Sequence, residues 1–455
     1  MVGGVEQTME LQSSVMLSES AEVVESHNIM PPNQLAPVPL TVADTGLDEL
    51  FLVDLLAKHL YAAGDLDQHQ LAHRSGLSWR VTESLLALMR EGAYLELRRG
   101  IHDEMRYGLT DKGKNLALEA LVKSAYTGPA PVTLEHYTAT VRAQSVSRIP
   151  VTYQTMVEGY SDVVVSDAML RQLGAAIISG RSMMLYGEPG SGKTYLAQRI
   201  VRVVAGDVLV PYAITVGGKI IKIFDPVIHQ TVQPSEIDEN ESDSLMLTDQ
   251  HDPRYVLCHR PAAVTGGELT IDMLELSYDT SNKVYDAPSQ LKANNGVFII
   301  DDLGRQRVRP IDLLNRWIIP MEEKRDFLTV GGGTRFEVPT DIVMVFSTNL
   351  NPLDLANEAF LRRLGYKIKF GEMTIAEYEQ VWRQVCNDKG VAFDQAHFDF
   401  LINELYAPSK KLLMPCHPRD LIGLVVDQCR FNGDKVAIST ERLECAWKTY
   451  FVEEL

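Results

Sequence analysis

The chain has 455 residues, 45% of them apolar and 23% charged, with a net charge of −18 at pH 7. This is ordinary composition for a folded globular protein, long enough for two to four domains at roughly 150 residues each. It contains no run of about 18 apolar residues, which excludes a spanning helix. The first basic residue is Lys58, so a secretory leader with a charged start is not expected. Five cysteines (Cys258, Cys386, Cys416, Cys429, Cys445) show no C-x-x-C spacing. Reduced thiols, packed as small apolar residues in a cytoplasmic protein, are the expectation. The acidity is concentrated. Residues 1–45 carry six acidic and no basic residues, and residues 231–254 carry seven acidic residues and Arg254. Neither segment would be drawn to a nucleic-acid backbone.

Residues 1–45 are polar, contain Pro31, Pro32, Pro37 and Pro39, and hold no sustained period, so a disordered acidic tail is expected. Residues 46–125 read as a small domain. Leu50, Val53, Leu56 and Leu60 form a stripe at helical spacing. Asp67 opens a second helix that Gly76 ends, and Ser78 caps a third with Val81, Leu85 and Met89 on one face. Segments 94–97 and 106–109, around the turn at Arg99-Gly100, predict a hairpin, and helix resumes over 110–125. Three helices followed by a hairpin resemble a winged helix-turn-helix. The charges argue against DNA as its target. Arg80 and Arg90 are accompanied by Glu83, and Arg98, Arg99 and Arg106 by Asp103 and Glu104, so a basic footprint is missing. Protein docking is the stronger expectation and DNA contact the alternative. Pro129, Pro131 and Pro150 mark residues 126–160 as a linker along the next domain, with one helical turn at 134–137.

The most specific stretch is Gly187-Glu188-Pro189-Gly190-Ser191-Gly192-Lys193-Thr194, which fits G-x-x-x-x-G-K-[ST]. A short apolar strand (182–186) precedes it. A helix with Leu196, Ile200, Val203 and Val204 at helical spacing follows. The glycines permit backbone angles that turn N–H groups onto phosphates, and the helix start adds its positive dipole end. Lys193 supplies a point charge and Thr194 a hydroxyl for Mg²⁺. Downstream, Val297-Phe298-Ile299-Ile300 reads as a buried parallel strand that delivers Asp301 and Asp302 beside that loop. Asp301 suits the Mg²⁺ shell, and Asp302 suits polarising an attacking water. A third strand, 342–346, ends in Ser347-Thr348-Asn349, an amide placed to touch a γ-phosphate or orient the water. Next comes a helix end bearing Arg362 and Arg363, one to reach a neighbouring subunit and the other to pair locally. Residues 372–455 read as a helical bundle, with helices near 374–388, 394–406, 418–431 and 440–454. Thr374 and Glu377 make a capping box. Pro418 suits a first helical position, and Arg419 leans toward the phosphates.

In this order the motifs resemble those of the AAA+ ATPases, over about 160–455. Within the family the chain looks nearest to bacterial chaperone-like ATPases of MoxR type, some described alongside pilus assembly. The resemblance implies an α/β fold: a P-loop core with a parallel sheet over 161–371, a C-terminal helical lid over 372–455 and the winged helix in front. It assigns Walker A to Gly187 through Thr194, Walker B to 297–302, sensor 1 to Asn349, the arginine finger to Arg362 or Arg363, and sensor 2 to Arg419. It implies ATP and Mg²⁺ as cofactors, a homo-oligomeric ring, expected as a hexamer, and a protein partner that the ring remodels.

Two departures matter. Asp302 stands where many members have Glu, and the missing methylene removes about 1.5 Å of reach. A displacement of about 1 Å can cost on the order of 10² in rate, so either the backbone compensates or hydrolysis is slow. The second departure is length. The 108 positions from Lys193 to Asp301 exceed a compact core and place an insertion near 216–293. In it, Gly217-Gly218-Lys219 through Pro226 resembles a substrate-loop hairpin, with Lys219, Lys222 and Phe224 as contacts. A structural hairpin that packs Ile221 and Phe224 inward is the alternative. The acidic run 236–252 is expected as a solvated loop, and Arg316, on a helix at 313–317, as a surface arginine, with action across a subunit interface as the alternative. Three functions follow as expectations: ATP-driven remodelling of a protein, an ATP-controlled DNA-binding switch, and a slowly hydrolysing nucleotide-gated scaffold.

Overall fold

The computed structural model describes residues 32–99, 104–232, 251–356 and 358–451. Most of the acidic tail, the wing turn with Gly100 and Asp103, and the acidic run up to residue 250 lie outside the described residues.

At the centre lies a five-stranded, all-parallel sheet. Its strands run in the order Tyr366–Phe370, Met183–Gly187, Ile342–Thr348, Gly296–Ile300, Ala262–Thr265. Gly296–Ile300 and Ile342–Thr348 are buried at every position, as strands covered on both faces must be. The two-residue period sorts their side chains. Met183, Leu185, Val297, Ile299, Val343 and Val345 pack with Leu196 and Ile200 of the helix Lys193–Val203. Met184, Phe298, Ile300, Met344 and Phe346 pack on the other side, against Trp317 and Phe360. Parallel strands end together, so Gly187, Asp301 and Asn349 emerge along one edge. Ala262–Thr265, an edge strand of this sheet, lies inside the stretch expected as an insertion.

The N-terminal part consists of helices Glu49–Ala63, Gln68–Ser75 and Trp79–Glu91, an antiparallel pair Leu95–Arg99 and Met105–Leu109, and helix Asp111–Lys123. Asp48, Asp67, Ser78 and Thr110 cap the four helices through their side chains. This module does not stand apart. Its core, built on Leu52, Leu56, Leu85 and Met89, also contains Ala213, Ile220 and Val284. Arg254 joins the two regions: it pairs with Asp252 at 2.7 Å, and its Nη1 donates to the Thr45 carbonyl at 2.9 Å, with both charged side chains almost fully buried.

Residues 126–160 are more structured than a linker. Val132–Thr133 adds a parallel strand beside Ala213–Val216, and Leu134–Ala143 is a ten-residue helix. The Thr133 hydroxyl caps that helix, and Tyr137, Thr140 and Val141 give it a buried stripe. The buried Gln144 amide then bonds the Leu209 carbonyl at 2.9 Å and Asn295 Oδ1 at 2.8 Å.

The hairpin Ala213–Val216/Lys219–Lys222 takes the structural alternative. Ile220 and Ile221 are buried, Phe224 packs on the rings of Tyr212 and His229, and Lys222 pairs with Asp286 at 3.3 Å. Arg316 is not a surface arginine. It is largely buried and bonds Asp326 at 2.7 and 3.0 Å and Glu275 at 3.2 Å. Trp317 and Met321 pull this helical segment into the core, and the guanidinium follows with its own carboxylates.

After the sheet come helices Ile375–Asp388, Gln395–Phe400, Cys416–Asn432 and Thr440–Tyr450. The second of them continues through a π-helical turn, Leu401–Tyr406. The Thr374–Glu377 capping box forms. The third helix begins at Cys416, which puts Pro418 at its third position rather than its first. Among the described residues no helix is long and apolar enough to cross a membrane.

Candidate nucleotide-binding site

Strand Met183–Gly187 leaves the sheet through Gly187 at φ 148°, and the loop turns again at Gly190 (φ 79°) and Gly192 (φ 84°). These angles disfavour L side chains. Space is short as well: a Cβ on Gly187 would lie 2.0 Å from the Phe370 carbonyl oxygen, and one on Gly190 2.4 Å from Cys416 Sγ. Gly192 caps the helix Lys193–Val203 without a side chain, so its first N–H groups face the loop's concave side. Ser191 Oγ ties the loop by donating to the Glu188 carbonyl at 2.8 Å.

Lys193 is 6% exposed. Its Nζ lies 2.7 Å from Asn349 Oδ1, 2.9 Å from the Glu188 carbonyl, 3.0 Å from that of Gly187 and 3.2 Å from Ser191 Oγ. Burial lowers its pKa, and Asp301, Asp302 and Glu188 oppose that shift. Thr194 Oγ1 donates to the Asp301 carboxylate, 2.8 and 2.9 Å from its two oxygens. Asn349 Nδ2 donates to Asp302 Oδ1 at 2.9 Å. Asp302 sits in the left-handed region at φ 49°, uncommon for a residue with a side chain and typical of functional turns. Arg305 Nη1 is 4.0 Å from its other oxygen.

These groups open onto a cavity of ≈ 640 Å³. Pro189 and the glycine loop form one wall, the strap 162–166 a second, and the helical bundle, through Gln384, Cys416 and Arg419, a third. Arg419 is exposed, with Asp420 3.7 Å away. Arg362 and Arg363 are not at this cavity. Arg363 Nε donates to Glu322 at 2.7 Å, and Arg362 is exposed.

The donor set fits a polyphosphate and a hard cation. The glycine backbone and Lys193 supply donors for phosphate oxygens. Among the described residues no group of three or more His, Cys, Asp or Glu side chains is placed to hold a metal ion. Thr194 and Asp301 instead offer two oxygen ligands, the partial shell that Mg²⁺ completes with phosphate and water.

Three contributors to the cavity carried no motif. Gln384 Nε2 donates to the Asp162 carbonyl at 2.7 Å, joining the bundle to the strap. The Asp162 carboxylate sits between Arg199 (3.1 Å) and Arg202 (2.9 Å) of the helix that follows the loop. Cys416, expected only as a small apolar residue, stands directly over Gly190. A spacing rule could not have found them, because their neighbours are distant in the chain.

A family model described as a domain of unknown function (DUF8689) matches residues 374–449, the helical bundle. No curated protein matches the chain. Among solved structures the chain is similar to the RuvB Holliday junction branch migration motor of Thermotoga maritima, at 14% identity over 69% of this chain and 74% of that one, with a TM-score of 0.35. It is also similar to domain III of the Thermotoga maritima replication initiation protein DnaA, at 12% identity over 67% of this chain and 100% of that one, with a TM-score of 0.36.

Proposed function

We propose that the chain is a Mg²⁺-dependent ATPase of AAA+ type that works as a ring and remodels a protein partner. One observation carries the reading: Lys193, Thr194, Asp301, Asp302 and Asn349, delivered by three neighbouring parallel strands, converge on one cavity beneath a glycine loop. Loop amides and Lys193 hold the β- and γ-phosphates. Thr194 and Asp301 would hold the cation, which when bound would draw charge from the phosphate oxygens. Asp302 accepts the proton of the attacking water, and Asn349 orients both partners. Arg362, exposed beside the locally paired Arg363, is the guanidinium we assign to a neighbouring subunit's site. Such a contact is head-to-tail and closes by rotation, and a finger of this kind contributes about 10³–10⁵ in rate.

The N-terminal module serves this reading as a winged-helix-like dock for protein. Two of its wing arginines, Arg98 and Arg106, are already paired. Arg98 bonds Asp65 at 2.8 Å and also pairs with Glu96, and Arg106 bonds Glu104 at 2.8 Å. Phosphate contacts would have to break these pairs. A second reading, a nucleotide-gated scaffold that hydrolyses slowly, is favoured by the short Asp302 side chain and its bond to Asn349.

The test is ATP binding and phosphate release by the full chain. Binding with turnover supports the ATPase, binding without turnover supports the scaffold, and no binding overturns both. A shift assay with duplex DNA at low salt checks the dock: salt-sensitive binding would return the module to nucleic acid.

A further inference from the structure

The helix Cys416–Asn432 begins directly over the glycine loop. Besides the Gly190–Cys416 contact, a Cβ on Gly192 would lie 3.7 Å from Pro415 Cγ. The helix start is not held by a cap of its own, since Pro415 offers no side-chain bond. A different device stands behind it. His417 Nδ1 lies 2.8 Å from the Tyr406 hydroxyl, which lies 2.8 Å from the Tyr378 hydroxyl. The three residues come from three elements: the helix Cys416–Asn432, the π-helical turn Leu401–Tyr406 and the helix Ile375–Asp388.

The surroundings are apolar. Tyr378 is fully buried beside Trp382 and Phe398, and Tyr406 packs edge-on against Trp447. Phenylalanine would fill either place, and a hydroxyl there is costly unless bonded. Burial pushes the His417 pKa down to about 4, opposed by Asp420 and helped by Lys411. The ring is therefore neutral, and His417 Nδ1, the Tyr406 hydroxyl and the Tyr378 hydroxyl form one continuous hydrogen-bonded chain. Tyr450, on the last helix, faces the same turn, donating to Asp420 at 3.0 Å and lying 3.8 Å from Cys416 Sγ. Fully satisfied buried networks of this kind fix one arrangement of the elements they join.

We infer that Tyr406 and Tyr378 are positioning residues for the nucleotide site: their hydroxyls hold His417, and through it the Pro415–Cys416 turn and Arg419, in register with the glycine loop. This rests on the nucleotide-binding reading and adds how the lid is aligned on that site.

The test measures affinity for a fluorescent ATP analogue, and thermal stability, in the full chain. Tyr406→Phe weakens binding about five- to tenfold, the worth of one buried hydrogen bond. Tyr378→Phe, one link further away, weakens it by a smaller factor. Ile422→Val removes a methyl group from the same helix's core face and lowers Tm, yet binds like the wild type. His417→Asn, which keeps a hydrogen-bonding group near the Nδ1 position, holds its affinity better than His417→Leu. The inference fails if Tyr406→Phe binds like the wild type, or if Ile422→Val loses as much affinity for the same fall in Tm. If the wild type itself binds no nucleotide, the reading of the site fails as well.

Discussion

Asn349 donates to Asp302 across 2.9 Å while its carbonyl oxygen takes a hydrogen bond from Lys193 at 2.7 Å. One amide therefore sets the distance between the cation expected on the phosphates and the carboxylate expected on the water. Asn349→Ala lowers kcat about 10- to 100-fold with a smaller change in KM, because orientation is lost and phosphate binding is kept. Steady-state phosphate release checks this, and an unchanged kcat removes Asn349 from the mechanism.

Lys193 and Asp302 separate binding from chemistry. Lys193→Ala abolishes nucleotide binding, since it removes the buried cation that bonds the loop's carbonyls. Asp302→Asn binds ATP and does not turn it over. Asp302→Glu restores the missing methylene and raises turnover if reach is the limit. Calorimetric titration with ATP, paired with phosphate release, reads all three, and equal rates for wild type and Asp302→Asn exclude Asp302 as the base.

Arg362 and Arg363 have different surroundings and should fail differently. In the proposed ring, Arg362→Ala lowers turnover by about 10³ or more and leaves the melting temperature alone. Arg363→Ala frees Glu322 and costs less than about 1 kcal/mol of stability, the usual worth of a partly exposed pair. Mixing wild-type and Asp302→Asn subunits with each variant shows which arginine acts across the seam. Loss of turnover in neither ends the finger assignment.

Acid should destabilise the fold in a defined window. His59 and His417 are buried, and burial brings each pKa to about 4 from 6.5. His59 keeps its bond to the Gly128 carbonyl, 3.2 Å from Nε2. Above pH 6.5 neither state binds the proton and stability is full. As the pH falls from 6.5 toward 4 the unfolded chain takes up protons that the native state refuses, and each site loses up to about 3 kcal/mol. Below 4 the loss levels off. Chemical denaturation at pH 7 and pH 4.5 measures it. His59→Gln, which keeps a donor for Gly128, reduces the slope by one proton, and an unchanged slope refutes the assignment.

The join between the N-terminal module and the rest is electrostatic as well as apolar. Arg254→Ala leaves Asp252 charged and buried and costs about 3–5 kcal/mol, whereas the double change with Asp252→Ala costs less than the two single changes together. Urea unfolding and limited proteolysis near residue 46 follow it, and additive single effects would show that the pair does not act as a unit.

Much of this molecule obeys rules of short range, and that part was legible in the chain itself. Asp67, Ser78 and Thr374 cap helices by reaching N–H groups two or three residues away. The strand at Gly296–Ile300 shows as an apolar run, and the glycine loop as a fixed spacing of backbone freedoms. Two further sheet strands, Ala262–Thr265 and Tyr366–Phe370, did not stand out, because four or five residues of mixed polarity match a loop as well as a strand. Of the helix Leu134–Ala143 only the first turn stands out in the sequence, because the nearby prolines that lie just outside it suggest a linker. What depended on the tertiary structure is contact between residues far apart in the chain. Asn349 meets Lys193 across 156 positions and Gln384 meets Asp162 across 222. Cys416 meets Gly190 only because the bundle folds back over the sheet's edge. Local propensity shapes each element, but only the burial of both sheet faces and of the bundle's aromatic core decides which ends come together, and the candidate site is made where they do.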